Sequence, residues 1–313
     1  MPRHLLEAGV SNPKGHFEGR QIVWLNDQIL RQLGRSWDDP RPIPQEAFQG
    51  AAFDLTADVV ASCIESEFEG APSLMVVKDP RICLLAPIWI EAVRRLQAEL
   101  HVFLPFRAPA QVAASLMKRD GKETGLALAL WSRYVLDAEY HSRGMRRAFF
   151  DADDFVRDPA AVLRRAGETA AMPWPIPGNE IRNVLGNFVE AGLLSKRADG
   201  DTVADTAQVE IYRELMKLKS DPHDAEAQAA FDGFRSAATP GIMPPPAAPQ
   251  VAKVREGQAA PAMPNAMLTL QKVLLKLSRH RSLPTERLRN KMGRFAIKRI
   301  LRGAWKGYGT ASG

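Results

Sequence analysis

Residues 100–119, Leu-His-Val-Phe-Leu-Pro-Phe-Arg-Ala-Pro-Ala-Gln-Val-Ala-Ala-Ser-Leu-Met-Lys-Arg, constrain the fold more than any other stretch. The run from His101 to Phe106 has the length and apolar character of a strand. Arg107 stands where that strand should end. Pro109 suits the first turn of a helix, because it lacks the N–H that would be unpaired there. Val112, Leu116 and Met117 then give the helix an apolar stripe, with Ser115 about two turns in. A strand running straight into a helix points to a parallel sheet, whose ligands sit at the carboxyl ends of the strands. A helix N-terminus attracts anions through its N–H groups and dipole. An arginine there adds a bidentate phosphate fork, and an inward serine hydroxyl adds another donor. The same residues also fit a surface arginine and an ordinary helix-interior serine.

The flanking segments extend the pattern. Ser73-Leu-Met-Val-Val-Lys78 is a near-continuous apolar run bounded by Pro72 and Pro80, as expected of a strand buried on both faces. Residues 147–151 read as a third strand. Helices are expected over 20–34, 52–68, 84–97, 123–142, 178–192 and 206–219 from their apolar periodicity. Residues 4–10 read as the last turn of a helix ended by Gly9. Asp158-Pro159 reads as the cap and first position of another helix. Strand–helix–strand order with crossovers of this length predicts an α/β fold, a parallel sheet flanked by helices.

Composition separates the ends of the chain. The net charge of +6 is the sum of unlike parts: residues 252–313 hold 14 Lys and Arg against 2 Asp and Glu, a net of +12, whereas the preceding body is net acidic. Residues 239–264 carry seven prolines and no periodicity, the mark of a linker. Beyond it, 265–277 and 285–305 read as helices, the second basic and amphipathic. Such a helix suits an anionic membrane surface, with Phe295 and Trp305 at the interface. Nucleic acid is the less favoured partner, since no nucleic-acid-binding motif accompanies the charge. A solvated helical extension or a dock for another subunit fits the same residues. Two cysteines, Cys63 and Cys83, form no metal-ligand spacing and suit a reducing compartment. No apolar run long enough to span a membrane occurs in the sequence. The expected location is cytoplasmic, with the tail as a peripheral contact at the inner membrane face.

Four motifs fall in chain order: Asn12-Pro-Lys-Gly-His-Phe-Glu-Gly-Arg20, Lys78-Asp79-Pro80-Arg81, Arg107 with Ser115, and Asp153-Asp154-Phe155 followed by Asp158-Pro159. In this order they resemble the bacterial sulfotransferase family, enzymes that use 3′-phosphoadenosine 5′-phosphosulfate (PAPS) on a P-loop NTPase-like fold. The resemblance covers roughly residues 4–200. It implies a sulfotransferase-like α/β domain over 1–200, a helical C-terminal extension over 201–238, the linker 239–264 and a basic helical tail over 265–313.

The resemblance also implies roles. Arg107 and Ser115 are similar to the family's 3′-phosphate site. Lys78, or else merely a solvated strand-end lysine, would neutralise oxygens of the transferring sulfuryl group. Glu18 would accept the proton of the acceptor hydroxyl, unless it only complements the dipole of the 20–34 helix. Arg81 would hold the acceptor or simply pair with Asp79. Lys196 and Arg197 match a basic segment near the nucleotide, and equally a solvated pair. The implied reaction moves a sulfuryl group from PAPS, without a metal, to a hydroxyl or amine of a glycan or lipid. Two departures stand out. The Gly-x-x-Arg/Lys-Ser-Gly-Thr loop that cradles the phosphosulfate is missing, as though the chain began inside the helix that follows it. Ala152 replaces a tyrosine often found near the adenine. The alternative is therefore a catalytically dead sulfotransferase-like domain that binds a membrane or partner through its tail. A P-loop kinase relative is disfavoured by the Lys-Asp-Pro-Arg run and the Arg/Ser pair.

Overall fold

A computed structural model describes residues 2, 4–7, 17–68, 73–175, 180 and 206–238. The expected helix at 178–192, the pair Lys196 and Arg197, residues 11–16, the linker 239–264 and the tail 265–313 lie outside the described residues. Two compact units emerge. Of the described residues, one holds those up to Asp39 with Ile43–Ala98; the other holds Pro40–Pro42 and those from Glu99 to Ala238.

The first unit is helical. Its elements are α1 (Arg20–Gln32), a short 3₁₀ turn (Gln45–Phe48), α2 (Gly50–Glu67) and α3 (Ile82–Arg95). Ile22, Leu25, Ile29 and Leu30 recur at helical spacing and are buried, and they turn one face of α1 inward. Leu55, Val59, Val60 and Ile64 of α2 are buried likewise, as are Leu84, Leu85, Ile88 and Trp89 of α3. The three helices pack on one another. Gly34, at φ +66°, closes α1 in the left-handed conformation that glycine adopts without strain.

Two expectations fail in this unit. Residues 4–7 are not the end of a helix; Leu5 forms an antiparallel bridge with Gly19. The amide of Leu6 donates to the Glu18 carbonyl at 2.8 Å, and that of Arg20 to the His4 carbonyl at 2.7 Å. A single helical turn is a poor competitor for such cross-chain bonds, because nucleating it fixes several residues for one hydrogen bond. Residues 73–78 form no strand, and Val76 is 49% exposed. An apolar run supplies strand propensity, but a strand also needs a ladder partner. Among the described residues none pairs with 73–78.

The second unit contains β1 (His101–Phe106), α4 (Pro109–Asp120), α5 (Thr124–His141), β2 (Arg146–Asp151), α6 (Ala152–Arg157), α7 (Pro159–Thr169), α8 (Thr206–Ser220) and α9 (Ala225–Ala237). The strands are adjacent and parallel, in register from His101↔Arg146 to Phe106↔Asp151. The expected parallel pairing of these two stretches is present, in a two-stranded sheet among the described residues.

Alternation along the strands sorts their side chains between two faces. Leu104, Phe106 and Phe149 pack with Trp131 and Leu136 of α5, Ile211, Leu215 and Leu218 of α8, and Phe231 of α9. Phe103, Ala148 and Phe150 pack with Ala166 of α7 and Ala170 beyond it. Helices thus cover both faces, and α8 and α9 share the core of the sheet. Pro109 opens α4, and Gly121, at φ +63°, closes it. Asp158 caps α7 by accepting from the Ala161 amide at 3.0 Å, with Pro159 at the first position. No helix among the described residues is long and apolar enough to cross a membrane.

Candidate functional site

In the helical unit, Lys78-Asp79-Pro80-Arg81 leads into α3 through a turn that α1 holds. Asp79 is buried, and its Oδ2 accepts from Asn26 Nδ2 at 2.9 Å. Its Oδ1 accepts from the Arg81 amide at 3.0 Å and from the Arg81 guanidinium at 3.1 Å. Arg81 Nε donates to Asp27 Oδ1 at 2.6 Å, and Trp89 Nε1 donates to Asn26 Oδ1 at 2.9 Å. Both oxygens of Asp79 and both ends of the Asn26 amide thus have partners, as burial demands. Burial opposes the charge of Arg81, but the carboxylates of Asp79 and Asp27 outweigh it and raise the guanidinium above its usual value. The pairing of Arg81 with Asp79 is thus present.

Beside this turn the ammonium of half-exposed Lys78 donates to the carboxylate of buried Glu18. Two residues 60 positions apart, each assigned a role in the chemistry from sequence, meet in one ion pair. Such a pair places a proton acceptor beside a cation. That arrangement suits deprotonating a hydroxyl next to an anionic group.

Truncating Asp79 to alanine should destabilise the chain by about 3 kcal/mol, because it strands the buried Asn26 amide and one side of Arg81. Asp27→Ala, at a more exposed partner, should cost about 1 kcal/mol or less. Urea unfolding midpoints measure both; equal losses would show that the buried bond to Asn26 carries nothing.

In the sheet unit, Phe106↔Asp151 is the last pair of the ladder, so Arg107 and Ala152 lie just past the carboxyl ends of neighbouring strands. The Arg107 carbonyl accepts from Trp131 Nε1 at 3.0 Å, which anchors the backbone there. The Arg107 Nε donates to Gln111 Oε1 at 3.3 Å, and Gln111 Nε2 donates to Asp153 Oδ2 at 3.1 Å. Burial pulls the Arg107 guanidinium below its usual value, with Asp153 and Asp151 acting in the opposite sense. Ala108 precedes α4 in an extended conformation, and no side chain caps that helix. Ser115 is half-buried on α4, one turn beyond Gln111. The i, i+4 spacing puts both on the same side of the helix.

Asp151, buried at the last pair of the ladder, organises this end of the sheet. Its Oδ1 accepts from the amides of Asp153 and Asp154 at 2.8 and 3.3 Å and so starts α6. Its Oδ2 accepts from the Tyr212 hydroxyl at 2.9 Å. Burial and then this bond push the Tyr212 phenol well above its usual range. The Tyr212 ring packs edge-on to Phe106 at 5.8 Å. A tyrosine thus reaches this end of the sheet from α8, not from position 152. Lys219 donates to Asp154 at 2.8 Å.

Lys78 with Glu18 and Arg107 with Ser115 belong to different units, and each pair is described within its own. Sequence reasoning missed Asn26, Gln111 and Tyr212. Only Gln111 carried a signal, its place one turn after Arg107. Among the described residues no group of three or more His, Cys, Asp or Glu is gathered as a metal would need. Comparison with family models, with curated proteins and with solved structures finds no match to this chain.

Proposed function

We propose that the chain is a sulfotransferase-like protein that binds the 3′-phosphate of a phosphoadenosine nucleotide at Arg107 and Ser115. The observation that carries this reading is the position of Arg107, past the end of a parallel strand and before a helix whose N-terminus no side chain caps. That is where an open α/β sheet takes its ligands, and where backbone N–H groups, dipole and guanidinium act on one anion. In the other unit, the Lys78–Glu18 pair sets a cation beside a carboxylate, the pair of charges that transfer to a glycan or lipid hydroxyl or amine would draw on. Sulfuryl transfer, like phosphoryl transfer, needs placement and charge more than covalent help. PAPS is the co-substrate of the family that the chain resembles, and its 3′-phosphate is the part that Arg107 and Ser115 would hold.

Isothermal titration with 3′-phosphoadenosine 5′-phosphate tests the reading. Arg107→Ala should weaken binding by about tenfold to a hundredfold, the worth of a hydrogen bond to a charged group. Ser115→Ala should weaken it less, and added salt should weaken the wild-type interaction. Equal affinity for wild type and Arg107→Ala would remove Arg107 from the site.

A further inference from the structure

The Arg107 site carries a carboxylate of its own. Three aspartates stand at the carboxyl end of β2, and they are satisfied differently. Asp151 is occupied by two backbone amides and the Tyr212 hydroxyl. Asp154 is met by the cations of Lys219 and Arg157. Asp153 is met by a neutral amide, that of Gln111. The same amide turns its oxygen to Arg107. The orientation follows from the neighbours: the guanidinium only donates and the carboxylate only accepts, so the glutamine oxygen must face the arginine and its nitrogen the aspartate. Arg107 and Asp153 are both half-buried, where charges are weakly screened and act strongly on each other.

We propose that Asp153, linked to Arg107 through Gln111, is a built-in competitor of the anion that binds Arg107, and that it sets how readily a bound phosphate leaves. The inference rests on the reading of Arg107 as an anion site. A phosphate arriving at Arg107 enters the field of a carboxylate held one amide away. The repulsion weakens the complex and favours return of the guanidinium to its internal partners. The recognised class is a phosphate-bearing ligand; the contribution of Asp153 is fast release rather than tight capture.

Two substitutions with opposite expected signs test this. Asp153→Asn removes the charge but keeps an oxygen for the Gln111 amide. It should tighten binding of 3′-phosphoadenosine 5′-phosphate about tenfold, the effect of one nearby like charge, chiefly through slower dissociation. Gln111→Glu puts a carboxylate directly on Arg107 Nε and should weaken binding. Adenosine, which has no phosphate, should not gain from Asp153→Asn. Titration and stopped-flow dissociation on the full chain read all of these, with thermal unfolding to verify that each variant is folded. If the wild type binds and Asp153→Asn binds equally or more weakly, the competitor role is wrong and the Arg107 site stands. If folded wild type and folded Asp153→Asn both fail to bind, the Arg107 site falls and the competitor role with it.

Discussion

Replacing Arg147 with methionine is expected to destabilise the sheet unit by about 3–5 kcal/mol, the cost of breaking a buried charge pair from one side. Arg147 lies on β2 with its side chain fully buried. Its guanidinium is used on every side. It donates to the Glu139 carbonyl at 2.8 Å, to Ser142 Oγ at 3.0 Å, and to the Pro222 carbonyl at 2.6 and 3.0 Å. It reaches Glu139 Oε1 at 3.2 Å and lies over the Phe149 ring, 5.1 Å from its centre. One side chain therefore ties the end of α5, the sheet and the connection between α8 and α9. Burial pulls the guanidinium below its usual value while Glu139 acts to restore it. Methionine fills the space but takes the side-chain donor from the Pro222 carbonyl, whereas the Glu139 carbonyl keeps the Ser142 hydroxyl. Glu139 keeps Arg143, which bonds both its oxygens and reaches Asp232. The double variant Arg147→Met/Glu139→Leu should not recover the loss, because Glu139→Leu in turn removes the carboxylate that holds Arg143. Urea unfolding followed by tryptophan fluorescence measures it. A loss under about 1 kcal/mol for Arg147→Met would mean that water satisfies the Pro222 carbonyl.

The second large effect concerns turnover. The 313-residue chain is expected to show no measurable sulfuryl transfer from labelled PAPS to hydroxyl or amine acceptors. No Gly-x-x-Arg/Lys-Ser-Gly-Thr segment occurs in the sequence. Such a loop would aim several backbone N–H groups and a cation at the transferring group. Each donor of that kind is worth about 2.7–4 kcal/mol in the transition state, so lacking several costs many orders of magnitude. Lys78 is one cation, already bonded to Glu18, and it does not replace a cradle. Turnover matching that of a sulfotransferase with an intact loop would show that the account overrates the loop.

Much of the sheet unit was legible because its signals are local. The span of β1, the start of α4 at Pro109 and the cap of α7 at Asp158 follow from residues within one turn of each boundary. The strand expected at 73–78 was not legible in the same way: Leu74 to Val77 have strand propensity, but pairing is decided by what lies alongside. The helix end expected at 4–10 failed for a related reason, since backbone partners at Glu18 and Arg20 outcompete a lone turn. In the candidate site, Arg107 was visible from its place between strand and helix. Its relay to Asp153 joins residues 42 positions apart after Gln111, and no spacing rule reports such a bond. The same holds for Asn26 with Asp79, 53 positions apart, and for Tyr212 with Asp151. Lys78 and Glu18 stand out only through the resemblance, and nothing in the sequence marks them as neighbours 60 positions apart.

The central claim is that Arg107 reads a 3′-phosphate. It is tested most directly by titrating the chain with two nucleotides that differ only there, 3′-phosphoadenosine 5′-phosphate and adenosine 5′-phosphate. Binding of the first, with the second weaker by about tenfold or more, and loss of that difference in Arg107→Ala, is the expected result. Equal binding of the two nucleotides, or a preference for the 3′-phosphate that survives in Arg107→Ala, would contradict it.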